Sequence, residues 1–245
     1  MPTEEVMRGE HTLRAYDEEL DALTAELSRM GGLAEVEVAD AIRAIGRRDV
    51  ALAQAVIGRD ARLDEIEVEI ERRAVRLIAL RQPVADDLRR TLGSLKISMN
   101  LERCGDLAKN IAKRALVIAE ADAVTPLTRS IERMGDLVAS RLKDVLDAYA
   151  ARDDERAQAV WRRDQEIDEH YDATFRELLT YMMGDPRTIA SCAHLLFVAK
   201  NLERIGDHAT NVAETVYYAV KGETLDAARP KGDTSAYAVV RPPQQ

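Results

Sequence analysis

The 245-residue chain carries 35 Lys and Arg against 44 Asp and Glu, for a formal charge of −9 and a pI near 5.1. That balance argues against nucleic acid as the main partner, because gripping a phosphate backbone takes a basic surface. Hydrophobic residues are 46% and aromatics only 4%, so the core must come from aliphatic side chains on helices, and no apolar run reaches the length of a membrane span.

The first predicted helix runs from about Thr12 to Arg47, with Leu13, Tyr16, Leu20, Leu23 and Leu27 at helical spacing and Ile42 and Ile45 continuing it. Gly31-Gly32 interrupts this segment and is expected to kink it. Asp49 reads as an N-cap for a second helix, carried by Val56, Leu63, Ile66, Ile70 and Leu77 to about Leu80, where Gln82-Pro83 stops it. A third spans about Asp86 to Ile118. The plan then recurs, with helices at about 127–150, 154–182 and 187–220 and a second breaker at Gly184-Asp185-Pro186. From Gly222 the chain turns rich in Pro, Gly and polar residues and reads as a flexible tail.

The recurrence is a duplication. Asn100-Leu-Glu-Arg-Cys-Gly-Asp-Leu-Ala-Lys-Asn110 is echoed at an offset of 101 by Asn201-Leu-Glu-Arg-Ile-Gly-Asp-His-Ala-Thr-Asn211. Upstream, Arg48 to Glu65 is echoed by Arg152 to Glu169 at an offset of 104. Two collinear matches preserve spacing, which shared composition alone would not do. The reading is all-α: two tandem three-helix bundles of six long helices, related by a pseudo-twofold axis. Residues 1–120 form the first unit, 121–221 the second and 222–245 the tail.

Each unit repeats a pair of acids at i, i+4: Asp60/Asp64 and Glu102/Asp106 in the first, Asp164/Asp168 and Glu203/Asp207 in the second. This spacing stacks both carboxylates on one helical face at a cost of a few tenths of a kcal/mol (~0.2–0.5) per like-charged pair. Lys109 stands near Asp106, whereas Asp60 and Asp64 have no base one turn away on their own helix. A hard cation relieves such repulsion through oxygen ligands, and Asn110 and Asn211 extend each ladder by one turn. A solvated acidic stripe, or pairing with Arg103 and Arg204, accounts for the same pattern without an ion. Gly105 and Gly206, inside strong helices, point to close packing. His208 has Leu107 as its counterpart in the other copy and reads as a satisfied histidine rather than a ligand. Trp161, Phe175, Tyr181 and Phe197 read as core or interface anchors. No nucleophile–base set, phosphate loop or zinc spacing is present, so catalytic residues are not expected.

Cys104 and Cys192 do not match between the copies, which argues against a disulfide framework and for a reducing compartment. The N-terminus, with Glu4, Glu5 and Arg8 and no apolar stretch, does not read as a signal peptide. A cytoplasmic location is expected.

The paired Asn-Leu-Glu-Arg-x-Gly-Asp-x-Ala-x-Asn blocks, with their upstream Arg-Asp-x-x-[Leu/Ile]-Asp blocks, resemble the PhoU family of bacterial phosphate-transport accessory proteins. Leu178 to Met183 and Glu214 to Tyr218 are similar as well. The resemblance implies a non-enzymatic negative regulator of phosphate uptake and of the phosphate-starvation response. Its implied partners are the ATPase of the phosphate ABC transporter and a sensor histidine kinase. The chain would be a homodimer, peripheral to the membrane at most. The family's acidic motifs hold multinuclear metal clusters in some members, which implies a divalent or trivalent ion (iron, manganese, magnesium or zinc) at the ladders named above. Storage of metal, or a metal-dependent reaction at the same carboxylates, is the competing function.

Overall fold

The computed structural model describes residues 4–120 and 125–225, with side chains from 16 to 120 and from 127 to 225. Most of the expected tail, residues 226–245, lies outside the described residues. The helices are α1 (Glu4–Arg47), α2 (Val50–Arg59), α3 (Ala61–Arg81), α4 (Ala85–Ala119), α5 (Thr125–Ala151), α6 (Asp154–Arg162), α7 (Asp164–Gly184) and α8 (Ile189–Lys221), with a 3₁₀ turn at Pro186–Thr188 before the last. Repeat one is α1–α4 and repeat two is α5–α8. No strand occurs among the described residues.

The caps follow the sequence. Asp49 accepts from Leu52 N at 2.9 Å and Asp153 from Arg156 N at 2.9 Å, so each copy satisfies one of the orphan donors at a helix start with the same side chain. Arg48 and Arg152 make the matching left-handed turns before those caps, with φ of 51° and 52°. Gly222 closes α8 with φ 77° and donates to Tyr218 O at 2.8 Å, the geometry that favours glycine beyond a helix end.

Two expectations need correction. The helix expected over 49–80 divides at Asp60, and its counterpart divides at Arg163. At the first joint Leu63 N donates to Asp60 O at 2.9 Å, and at the second Arg163 N donates to Val160 O at 3.2 Å. These are tight i→i−3 bonds replacing the α-helical pattern for one turn. Conversely, Gly31-Gly32 does not interrupt α1, which is helical throughout its described length.

The physical reason for Gly31 is packing. A Cβ there would lie 2.5 Å from Leu146 Cδ2 of α5, while at Gly135 on α5 it would lie 2.7 Å from Ile42 Cγ2 of α1. The two contacts are the same contact under the 104-residue offset, so α1 and α5 run antiparallel and each accepts an aliphatic side chain against its bare backbone. Helices α4 and α8 form a second antiparallel pair, with Gly93 beside Thr215 and Ala219, Asn100 beside His208 and Arg114 beside His194. These four helices make the centre, and α2–α3 and α6–α7 flank it. The buried side chains of both repeats form one contiguous apolar core, from Leu23 and Leu27 through Leu101 to Leu142 and Leu202.

Trp161 is buried and Phe175 packs on the core. Tyr181 and Phe197 are instead 41% and 55% exposed. Phe197 lies under the guanidinium of Arg114, 4.1 Å from its Cζ, a cation–π contact that partly shields a ring left on the surface.

Gly135→Ala should destabilise the fold by about 1–3 kcal/mol, because overpacking against Ile42 outweighs the gain in helix propensity. Gly32→Ala, where a Cβ meets nothing within 4 Å, should stabilise by about 0.5–1 kcal/mol. Urea unfolding of the two variants checks both signs.

Candidate functional site

In repeat one the α2–α3 joint turns Asp60 inward. Its carboxylate is buried at 3% exposure and ion-paired with Lys109 of α4. The base that the local spacing on the second helix lacks is thus supplied by another helix. On α1, Asp40 is held by Arg43 and by Arg59 of α2. One turn earlier, Glu37 is 2% exposed, and its Oε2 is buried without a hydrogen-bond partner. Burial raises the Glu37 pKa to about 7, with the neighbouring Asp60 adding to the effect and Arg59 opposing it.

Helix α4 brings Glu102 and Asp106 to the same region. Arg103 of the same helix reaches Asp106 at 3.3 Å and Glu102 at 3.5 Å. Burial and then the Asp106 charge push Glu102 up to about 7. Asp64, exposed on α3, is raised by burial and by the fields of Asp60 and Asp106. Glu67 is raised by burial, then by Glu71 and Asp64. The charges of Asp60, Asp64 and Asp106 thus act on neighbouring acids, and Glu37 and Glu67 lie within their fields. Glu37 was legible as an acid amid the apolar period of Ala34, Val38 and Ala41. Asn110 is exposed one turn past Asp106. Gly105 lets α3 close in, since a Cβ there would lie 2.4 Å from Leu63 Cδ1, and Gly206 does the same with Ile167 at 2.6 Å.

Repeat two carries the same acids in a different setting. Asp164, Asp168 and Glu203 are all buried, at 4%, 6% and 6% exposure. Thr210, the counterpart of Lys109, donates to Asp164 Oδ1 at 2.7 Å. Lys200 donates to Glu203 Oε1 at 2.9 Å, while Glu203 Oε2 is buried without a hydrogen-bond partner. Glu203 is raised by burial, with Lys200 opposing and Asp207 and Asp168 adding. Asp207 is half-buried.

Two assignments shift toward the centre of the molecule. His208 Nδ1 lies 2.9 Å from Asn100 Oδ1, as a satisfied histidine should. Asn211 Nδ2 donates to the same oxygen at 3.4 Å, so its amide also ties α8 to α4 across the seam.

The deepest difference stands where repeat one has Glu37. The offset of 104 places Arg141 there, 2% exposed, with Nη2 donating to Glu166 Oε2 at 2.7 Å. Its Nε and Nη1 are buried without hydrogen-bond partners. Burial, then the nearby Arg163, holds its pKa below the usual guanidinium range. An acid and a guanidinium thus occupy equivalent buried positions.

The donor chemistry at repeat one fits a hard cation: oxygen atoms only, several raised carboxyls, and one buried carboxylate oxygen lacking a partner. The acids do not form a closed shell in this conformation, since among the described residues no three His, Cys, Asp or Glu side chains converge as one donor set.

The raised pKa of Glu37 sets a pH dependence. The unfolded chain releases this proton near 4.5, the folded chain near 7. Its contribution to stability is full below about pH 4.5 and lost as pH rises through about 7. In metal-free protein, the stability gained by Glu37→Gln should therefore grow from pH 5 to pH 8. A gain that stays constant across that range, in urea unfolding at each pH, would contradict the assignment.

With this geometry in place, comparison with known proteins is direct. The PhoU domain model matches twice, over residues 27–115 and 131–216. A phosphate-specific transport system accessory protein PhoU homolog of Caulobacter vibrioides is 67% identical over 224 residues, covering 91% of this chain and 97% of the relative. The phosphate-specific transport system accessory protein PhoU of Escherichia coli is 39% identical over 215 residues, covering 88% of this chain and 89% of the relative. Among solved structures, PhoU from Pseudomonas aeruginosa superposes with a TM-score of 0.79 at 38% identity, covering 85% of this chain and 100% of that one. The phosphate transport system regulatory protein PhoU from Streptococcus pneumoniae gives 0.80 at 29% identity, covering 86% and 100%. Duplicated motif, helical architecture and sequence identity agree: the chain belongs to the PhoU family.

Proposed function

We propose that this protein is a negative regulator of phosphate uptake and of the phosphate-starvation response, coupling the ATPase of a phosphate ABC transporter to its sensor histidine kinase in the cytoplasm. The observation that carries this reading is the 67% identity to a phosphate-specific transport accessory protein across nearly the whole of both chains. The absence of a helix long and apolar enough to cross a membrane among the described residues is compatible with contact at the cytoplasmic face of a transporter. Self-association as a homodimer belongs to the same proposal. Nothing observed favours metal storage or turnover as the function.

Deletion of the gene should leave phosphate-responsive genes expressed at high phosphate. Affinity capture of the full chain should recover the transporter ATPase and the kinase. Normal repression in the deletion strain, or recovery of neither partner, would overturn the regulatory reading.

We further propose that the acidic ladders Asp60/Asp64, Glu102/Asp106/Asn110, Asp164/Asp168 and Glu203/Asp207/Asn211 take up a hard cation. Such an ion supplies positive charge that draws the carboxylates of α3 and α4, or of α7 and α8, together. Manganese added to chelator-stripped protein should then stabilise it by about 2.7 kcal/mol at a hundredfold excess over Kd. Glu102→Gln with Asp106→Asn should be more stable than the parent without metal, because like charges are removed, and should lose the part of the manganese gain that repeat one supplies. An unchanged melting temperature on adding manganese to the parent would rule the ion out.

A further inference from the structure

The pseudo-twofold axis is broken most visibly where α4 meets the end of α8. The offset of 101 pairs Gly93 with His194, Ser94 with Leu195, and Arg114 with Thr215. In one setting the large residues fill the space, with Arg114 Nη1 3.3 Å from His194 Nδ1. In the other setting Gly93 lies beside Thr215, and Ser94 lies beside Tyr149. A Cβ added at Gly93 would come no nearer than 3.5 Å to Ala219 and 3.6 Å to Thr215. A cavity of about 220 Å³ opens there, between α1, α4, α5 and α8.

The lining has two characters. The buried Ile97 and Val216 give it an apolar wall. Arg90 and Arg152 stand on it with a single acid, Asp21, which leaves a formal excess of one positive charge. Among the described residues neither arginine is joined to a carboxylate by an ion pair. Arg90 has Ser191 as its counterpart, so this charge is also particular to one copy. The hydroxyls of Tyr149 and Ser94, 3.4 Å apart, add a polar pair on the wall. A planar guanidinium fork matches a carboxylate in two hydrogen bonds, and small-molecule sites combine apolar walls with a few placed polar groups.

We propose that this cavity is a binding site for a small organic monoanion, a carboxylate on a short apolar body. The single excess charge selects a monoanion over a dianion, and the apolar wall selects an organic body over a bare inorganic ion. The site is separate from the acidic ladders, since none of their residues lines it.

Benzoate titrated into the full chain, followed by amide NMR, is the test. Binding should be saturable and centred on Gly93, Ser94 and Val216. Benzamide, the uncharged analogue, should bind about tenfold more weakly or worse. Ser94→Leu installs the residue that the other repeat uses to fill its space and should abolish binding. Arg90→Gln should cost benzoate about tenfold in affinity and leave benzamide unchanged. Absence of saturable benzoate binding, equal affinity for benzoate and benzamide, or undiminished binding to Ser94→Leu would overturn the proposal. Should Ser94→Leu lose the helical circular dichroism of the parent, Arg90→Gln decides: undiminished benzoate affinity there overturns it too.

Discussion

Each repeat has an apolar face, on α1 and α4 or on α5 and α8, that its own flanking pair of helices does not cover. The other repeat covers it. This mutual burial, α1 on α5 and α4 on α8, is what the rest of the molecule depends on. Apolar surface removed from water is worth about 25 cal/mol per Å², and long helices bury it most fully when they lie side by side. The glycine contacts set how close they can lie. Gly31 and Gly135 place Leu146 and Ile42 directly against opposing backbone, and the asparagine at position 100 ties His208 and Asn211 to α4. One core results from two copies of one unit.

The flanking helices act differently. They are broken where they pass the acidic region, and each break leaves a buried aspartate whose partner comes from α4 or α8, Lys109 or Thr210. A carboxylate removed from water is tolerated only when paired or hydrogen-bonded. The partners differ in charge, so the aspartates differ in what they balance: Asp60 belongs to an ion pair and Asp164 to a neutral hydrogen bond. Acids drawn from three helices are held close by the fold yet only partly compensated. Glu37 and Glu102 stay largely protonated well above the usual carboxylate range as a consequence.

The sequence disclosed what is local or repeated. Aliphatic periodicity gave the six helical stretches, and the two motif blocks gave the duplication and four of the acids of each copy. It did not disclose the joints at Asp60 and Arg163, because Val56, Leu63 and Ile66 keep helical spacing straight across the first. Lys109 was read against Asp106 on its own helix, since the pairing with Asp60 exists only once α4 packs on α2. Gly31 was read as a kink because its counterpart Gly135 lies in the first helices, where the motif blocks do not reach. Glu37 and Arg141 stand outside those blocks for the same reason, and only the packed structure sets them in equivalent places.

That opposition bears on how the two copies are encoded. A symmetric pair of separate single-repeat chains would carry one and the same residue at both positions, either two acids or two guanidinium groups. In one polypeptide the two positions are encoded separately and are free to take opposite charges. Glu37 and Arg141, both 2% exposed, therefore form an arrangement that a self-pairing single repeat could not hold. Separating the halves into independently encoded chains would preserve it only if the two remained distinct partners and neither paired with itself.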